Sequence, residues 1–141
     1  MTTPTTPKKP VKKALPVFFY KTAAGTDVVL NEIRSLSEDA QHAIGTDMNL
    51  LELHGLSAPK VDVKREPHGM LALRVHEGDY RVLFFIEAGE AWMLYVFQKD
   101  DEKLLKRHSD AARARMDDLK ARFLKAKKAA EKAAHKKKSG G

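Results

Sequence analysis

The chain has 141 residues, a length that suits one domain with short appendages. It contains no cysteine, which excludes a disulfide framework and a thiolate metal site, and its apolar and charged fractions of 43% and 32% are ordinary for a globular protein. Its net charge of +7 raises the question of a nucleic-acid partner.

The positive charge is concentrated at the two ends of the chain. Residues 1–16 hold four lysines and no acid, and residues 120–141 hold nine Lys or Arg and one Glu, so these ends carry +4 and +8. Residues 17–119 hold thirteen basic and eighteen acidic residues and therefore carry −5. The high pI therefore comes from the two ends of the chain, and it does not indicate a basic groove in the body.

Composition divides the chain into three parts. Residues 1–15, rich in Thr, Pro and Lys, predict a disordered basic arm. Residues 16–123 hold the periodic segments of a single domain, and residues 124–141 form a Lys/Ala-rich tail that is either helical or frayed. Because the longest apolar run is only Val82–Ile86 and the N-terminus lacks a signal-peptide pattern, we expect a cytoplasmic protein.

The first half of the body predicts one strand and two helices. Val17–Tyr20 is a β-branched and aromatic run that indicates a strand. From Asp27 the apolar residues recur at a helical spacing. Ser37 can cap a second helix and Gly55 can end it, and the proline-containing stretch that follows predicts a loop.

Met70–Lys99 predicts three consecutive strands with short turns between them. Strict alternation in the last strand groups Tyr95 with Met93 and puts Trp92 on the opposite face.

After Lys99 the apolar period becomes helical. A stripe at steps of four, three and four would dock on the sheet, and it consists of Ala112, Met116, Leu119 and Phe123. The sequence therefore predicts an α+β fold in the order β-α-α-β-β-β-α, with a mostly antiparallel four-stranded sheet packed by helices.

Six short motifs follow one another through the body: Phe19-Tyr20 with Gly25, Arg34-Ser35-Leu36-Ser37, Met70–Arg74, Tyr80–Phe85, Phe97-Gln98-Lys99 and Ala112–Met116. Their order and spacing over residues 17–123 resemble the RelE/ParE superfamily of bacterial toxins, most closely its phage-related HigB-like branch. The resemblance implies a RelE-like fold for the body.

The resemblance also implies a function. It is that of the toxin of a type II toxin–antitoxin system, an endoribonuclease that cuts mRNA in the ribosomal A site and so inhibits translation. The implied reaction uses no metal or other cofactor, because the ribose 2′-OH attacks the adjacent phosphate and expels the 5′-oxygen. The implied partners are a cognate antitoxin of the helix-turn-helix type, the ribosome and mRNA. Operator DNA would be contacted only through the antitoxin, and no membrane is involved.

Such a reaction needs cations around the phosphate, which arginine supplies well because its planar fork grips phosphate oxygens in pairs. Arg81 is the first candidate, since it matches the family's Tyr-Arg arginine, and Arg74 is the second. The alternative for each is an ion pair with a nearby acid, which for Arg81 would be Glu77, Asp79 or Glu87.

The other expected site residues are Lys99 and His108 as catalytic groups, and Tyr80, Lys103, Lys106, Arg107 and Arg113 as RNA-binding groups. The identity of the general acid and base stays open among His76, His108 and His68, and Tyr80 could stack on a base or assist proton transfer. The alternative for the cations is a solvated helix face, which a charge run alone favours, and burial under the sheet is the commoner fate of a strand tyrosine such as Tyr80.

The sequence departs from the branch in two places. Lys103-Leu104-Leu105 stands where Lys-Thr-Pro is usual, and Asp100-Asp101-Glu102 stands where a basic pair is usual. Two other functions therefore stay open. One is a ParE-like or other non-nucleolytic inhibitor that binds a host protein, and the other is a nucleic-acid-binding accessory protein that acts through its tails.

Overall fold

The computed structural model describes residues 13–99 and 106–139, with side chains as far as residue 134. In these ranges the chain is an α+β domain, as predicted, with three helices and one five-stranded sheet. The elements are β1 (Val17–Phe19), α1 (Val28–Arg34), α2 (Glu38–His54), β2 (Val63–Arg65), β3 (Leu71–Val75), β4 (Tyr80–Glu87), β5 (Glu90–Gln98) and α3 (Lys106–Ser139), with a 3₁₀ turn at Pro67–Gly69. None of the helices in the described ranges combines the length and apolar character needed to cross a membrane.

The sheet is mixed, with strand order β1-β5-β4-β3-β2. β1 runs parallel to β5, and all other neighbours are antiparallel. The predicted count of four strands was wrong, because β2 lies within the expected loop. This strand has three residues, and both Lys64 and Arg65 are exposed, so it lacks the apolar alternation that marks a strand in a sequence.

The predicted ends of α2 are confirmed. The Ser37 hydroxyl accepts a hydrogen bond from the Ala40 amide at 3.2 Å, which satisfies one of the free amides of the first turn. At the other end Gly55 has φ +79°, a left-handed conformation that glycine adopts without strain, and its amide donates to the Leu51 carbonyl at 2.8 Å.

A β-bulge at Leu94 decides which aromatic side chains face α3. Leu83 of β4 pairs with Tyr95, whereas the next β4 residue pairs with Met93, so Leu94 has no partner on β4. Trp92 and Tyr95 therefore lie on the same face of the sheet. The predicted grouping of Tyr95 with Met93 was wrong, because one unpaired residue interrupts the period of two.

Helices cover both faces of the sheet. On the face of Trp92 and Tyr95, α3 docks through the predicted stripe, in which Ala112, Met116 and Leu119 are 0–3% exposed. α2 lies on the opposite face, next to Phe19 and Val75. Consequently the centre of β4, Val82–Phe85, is buried on both sides, at 0–2% exposure.

The edge strand β1 is closed by a glutamate of α2. The Glu52 carboxylate accepts a hydrogen bond from the Val17 amide at 2.8 Å and lies 3.2 Å from the Lys13 ammonium. Leu15, which composition places in the N-terminal arm, is buried, and its amide donates to the Glu52 carbonyl at 3.0 Å. These contacts occupy edge groups that would otherwise be open to another strand.

The stability of the domain depends on the two-sided burial of β4. We expect Phe84→Ala to lower the free energy of unfolding by about 3–5 kcal/mol, because the side chain is fully buried and its removal leaves a cavity. Phe18→Ala is the matched control, since Phe18 is 40% exposed, and it should cost about 1 kcal/mol. Urea unfolding followed by circular dichroism measures both values. Equal losses in the two variants would contradict this description of the core.

Candidate functional site

Two arginines lie directly opposite each other on the face of the sheet that α3 partly covers. Arg74 of β3 pairs in register with Arg81 of β4, and Arg81 pairs in register with Phe97 of β5. Directly opposed residues of antiparallel strands have Cβ atoms about 4.5–5.5 Å apart. The three side chains therefore form one row across the sheet, which we call the arginine row.

Arg74 is neutralised by Asp62. Its Nε and Nη2 lie 3.0 and 2.9 Å from the Asp62 Oδ2 atom, and its backbone amide donates to the Asp62 carbonyl at 2.8 Å. His76 Nε2 is 2.6 Å from the same oxygen. The hydrogen bond from Arg74, followed by that of His76, lowers the pKa of Asp62. Arg74 thus makes the ion pair that was the alternative to a phosphate contact.

Arg81 differs from Arg74. It is 9% exposed, and its Nη1 donates to the Tyr80 carbonyl at 3.0 Å. No carboxylate in residues 13–99 or 106–139 forms an ion pair with it. The alternative of an ion pair between Arg81 and Glu77, Asp79 or Glu87 is therefore not realised. The net positive charge of the row therefore resides on Arg81. A shielded cation without an acid is energetically costly, and a bound anion would compensate it.

His108 is the third residue of α3 and lies beside the row. Its ring stacks on Phe97, with a centroid separation of 4.2 Å and an interplanar angle of 9°. Its Nδ1 is 3.1 Å from the Tyr95 hydroxyl. Because Phe97 is the register partner of Arg81, these contacts place an oriented imidazole on the residue that neighbours Arg81 across the sheet.

Three further expected cations surround this end of the sheet. Lys106 and Arg107 are exposed in the first turn of α3 and directly precede His108. Lys99 is half-buried just after β5, where its backbone amide donates to the Asp79 carbonyl at 2.7 Å. The expected site residue Lys103 lies outside the described residues.

The structure separates two expected RNA-binding residues from the row. Tyr80 precedes Arg81 in β4, so it points to the opposite face, where its ring lies against Gly78. Arg113 is exposed on α3, and its Nη1 is 3.2 Å from Nε2 of His68 in the 3₁₀ turn. Neither side chain therefore contacts the arginine row in this conformation.

A second arginine cluster has a structural role because acids match its charges. Arg115 forms a two-point ion pair with Glu32 at 2.9 and 3.2 Å, and Arg122 is 2.8 Å from Asp118. Both guanidinium groups lie over the Tyr20 ring, at 5.7 and 5.3 Å from its centroid. The Tyr20 hydroxyl donates to Asp118 at 2.7 Å; this bond lowers the pKa of Asp118, while burial and the bond raise the pKa of Tyr20.

Sequence reasoning missed Asp62, Tyr95 and Phe97 as parts of the site. Asp62 lay in the segment predicted to be a loop, and both aromatic residues looked like ordinary strand residues. The available signal was the Val-Asp-Val alternation around Asp62, which is typical of a short strand. Within the described residues, no three His, Asp or Glu side chains are placed to hold a metal ion.

A comparison with known protein families gives a match. The family described as "Phage derived protein Gp49-like (DUF891)" matches residues 31–117, which is more than half of the chain. The matched range runs from α1 into α3 and contains the arginine row and His108. No curated protein matches the chain significantly.

The lowered pKa of Asp62 predicts a pH-dependent contribution to stability. A carboxylate whose pKa is lower in the folded state stabilises the fold above its unfolded pKa of about 3.9, and this stabilisation is lost as the pH falls through the folded pKa. Asp62→Asn should therefore lower the free energy of unfolding at pH 6 by up to about 1 kcal/mol, a small value because solvent screens the partly exposed pair.

The difference between Asp62→Asn and wild type should shrink as the pH falls below about 4, and urea unfolding at several pH values measures it. Asp117→Asn is the control, because Asp117 is exposed on α3. A difference that stays constant with pH would contradict the role assigned to the Asp62 carboxylate.

Proposed function

Since this chain belongs to the Gp49-like family of phage-derived proteins, a RelE/ParE-like toxin family, we propose that it is the toxin of a type II toxin–antitoxin system and cleaves mRNA on the ribosome. The observation that carries this proposal is Arg81, a shielded arginine without a carboxylate partner in the described residues, whose register partner Phe97 stacks on His108. Phosphate is the anion that this guanidinium suits.

In the proposed reaction the arginine row binds the scissile phosphate. Arg81 supplies the positive charge that stabilises the five-coordinate phosphorane, on which negative charge accumulates. Arg74 is held in place by Asp62 and is a positioning residue rather than a second free cation. Because like charges directly opposite each other on a sheet are unfavourable, the Asp62 pair also reduces the repulsion between the two arginines.

His108 supplies one of the two proton transfers. The 2′-OH loses its proton as its oxygen bonds to the adjacent phosphorus, and the bond between phosphorus and the 5′-oxygen breaks as that oxygen gains a proton. The products are a 2′,3′-cyclic phosphate and a free 5′-hydroxyl. An imidazole can accept or donate a proton near neutral pH, and the contacts with Tyr95 and Phe97 fix its orientation.

We assign Lys99, Lys106 and Arg107, which lie at this end of the sheet, to the phosphates on either side of the cleaved bond. A cognate antitoxin of the helix-turn-helix type and the ribosome are the proposed partners, and the HigB-like branch is the proposed subgroup.

The charge of Arg81 is the first feature to test. Arg81→Met keeps an unbranched apolar stem in the core but removes the guanidinium, so we expect mRNA cleavage to fall about 10²–10³-fold and growth arrest to be relieved. Primer extension on mRNA in a purified translation reaction measures cleavage. Arg65→Met is the matched control, because Arg65 is an exposed strand arginine outside the row.

A folded Arg81→Met variant that cleaves at the wild-type rate would refute the assignment. Growth arrest by the wild type with intact mRNA would favour the non-nucleolytic inhibitor instead.

A second test decides between the two histidines. His108→Phe keeps an aromatic ring that can stack on Phe97 but cannot transfer protons, so we expect a loss of about 10²–10⁴-fold in cleavage. His76→Phe removes the competing candidate, which is exposed and bound to Asp62, and should have little effect. The reverse pattern, with loss only in His76→Phe, would transfer the proton-transfer role to His76.

A further inference from the structure

α3 continues far beyond the part that packs on the sheet. Phe123 is the last residue of the docking stripe, and every residue from Leu124 to Ala134 is exposed. The helix itself runs to Ser139, about 24 Å past Phe123, and we call residues 124–139 the projecting helix, although Leu124 and Lys127 in its first turn still line a cavity with Glu87 and Glu90. Its alanine, lysine and glutamate residues have high helix propensity, which stabilises a helix that extends beyond its docking stripe.

The lysines of this projecting helix are arranged in a row. At 100° per residue, Lys125, Lys128 and Lys132 fall within about 60° of one another, on the side opposite the docking stripe. All three are exposed, and none of them makes an ion pair within the described residues. The row extends about 10 Å along the helix, with steps of about 4.5 and 6 Å, so each ammonium can meet a different phosphate.

The composition of the helix excludes two other partners. The side opposite the lysine row carries Ala126, Lys127 and Ala130, none of which is an apolar side chain large enough to anchor a helix in a membrane interface. The same lack of large apolar or aromatic residues beyond Leu124 leaves no anchor for a protein partner. An extended phosphate backbone needs only the cations.

We propose that the projecting helix is an RNA-binding arm whose lysine row contacts the phosphate backbone of double-helical RNA independently of its sequence. The choice of RNA over DNA rests on the proposed function, whereas the phosphate chemistry does not. The arm would keep the domain close to structured RNA and so raise the local concentration at which the arginine row meets its substrate.

The test measures binding of the full chain to a labelled RNA hairpin by fluorescence anisotropy, over a range of salt concentrations. The triple variant K125Q/K128Q/K132Q should bind about tenfold more weakly at about 100 mM salt. The negative slope of log K against log salt should also become shallower by about three, one for each lost phosphate contact. The control K8Q/K9Q/K12Q removes the same net charge from the N-terminal part of the chain and should change the affinity less than about threefold.

Equal weakening in both triple variants would overturn the proposal, because binding would then follow net charge alone. Tighter binding to a DNA duplex of the same sequence would overturn RNA as the ligand, and tighter binding to a polyglutamate peptide would overturn phosphate recognition.

The helical arrangement is tested without a change in charge. Ala129→Pro breaks the helix between the lysines and should weaken RNA binding about threefold or more, whereas Ala129→Ser should not. Arg65→Met, which changes an exposed arginine outside the arginine row, should bind the hairpin normally. If Arg81→Met stays toxic while K125Q/K128Q/K132Q loses RNA binding, the proposed nuclease function is refuted and the RNA-binding role of the projecting helix is supported.

Discussion

The bulge at Leu94 is the local feature on which the rest of the structure depends. By interrupting the alternation of β5, it turns Tyr95 to the same face as Trp92, under α3. The Leu94 carbonyl accepts a hydrogen bond at 2.7 Å from Arg115 of α3, which also pairs with Glu32 of α1. One unpaired residue therefore both selects the aromatic surface for α3 and provides an attachment point for it. Without it, Tyr95 would face α2 and could not contact the histidine of the site.

Charge pairing then separates the arginines that hold the fold from the one that is available for chemistry. Arg115 and Arg122 are matched by acids and stabilise the junction of α3 with the sheet. Arg74 is matched by Asp62, which directly precedes the edge strand β2. Arg81 has no such partner in the described residues, although its burial makes an acid more valuable there than at the surface. Sites that violate a local stability rule in this way are where function is expected.

The sequence was sufficient for features that depend on local interactions. The class of the fold, the capping of α2 by Ser37 and the docking stripe around Met116 follow from periods and caps that neighbouring residues determine. β2 and the bulge were not predictable in this way, because a three-residue edge strand and a register shift depend on pairing with distant residues. For the same reason Arg81 was identified as a candidate, but its position opposite Arg74 became known only from the register.

The distribution of charge gives the two proposed RNA contacts different physical characters. Arg81 is shielded from solvent, so salt screens its attraction for a phosphate weakly, but that attraction acts only at short range. The lysines of the projecting helix are exposed, so they act at longer range and are screened strongly. Arg81 belongs to a body, residues 17–119, with a net charge of −5, so the body as a whole does not attract RNA over long distances. Capture and chemistry are thereby assigned to separate cations, and only capture should respond strongly to ionic strength.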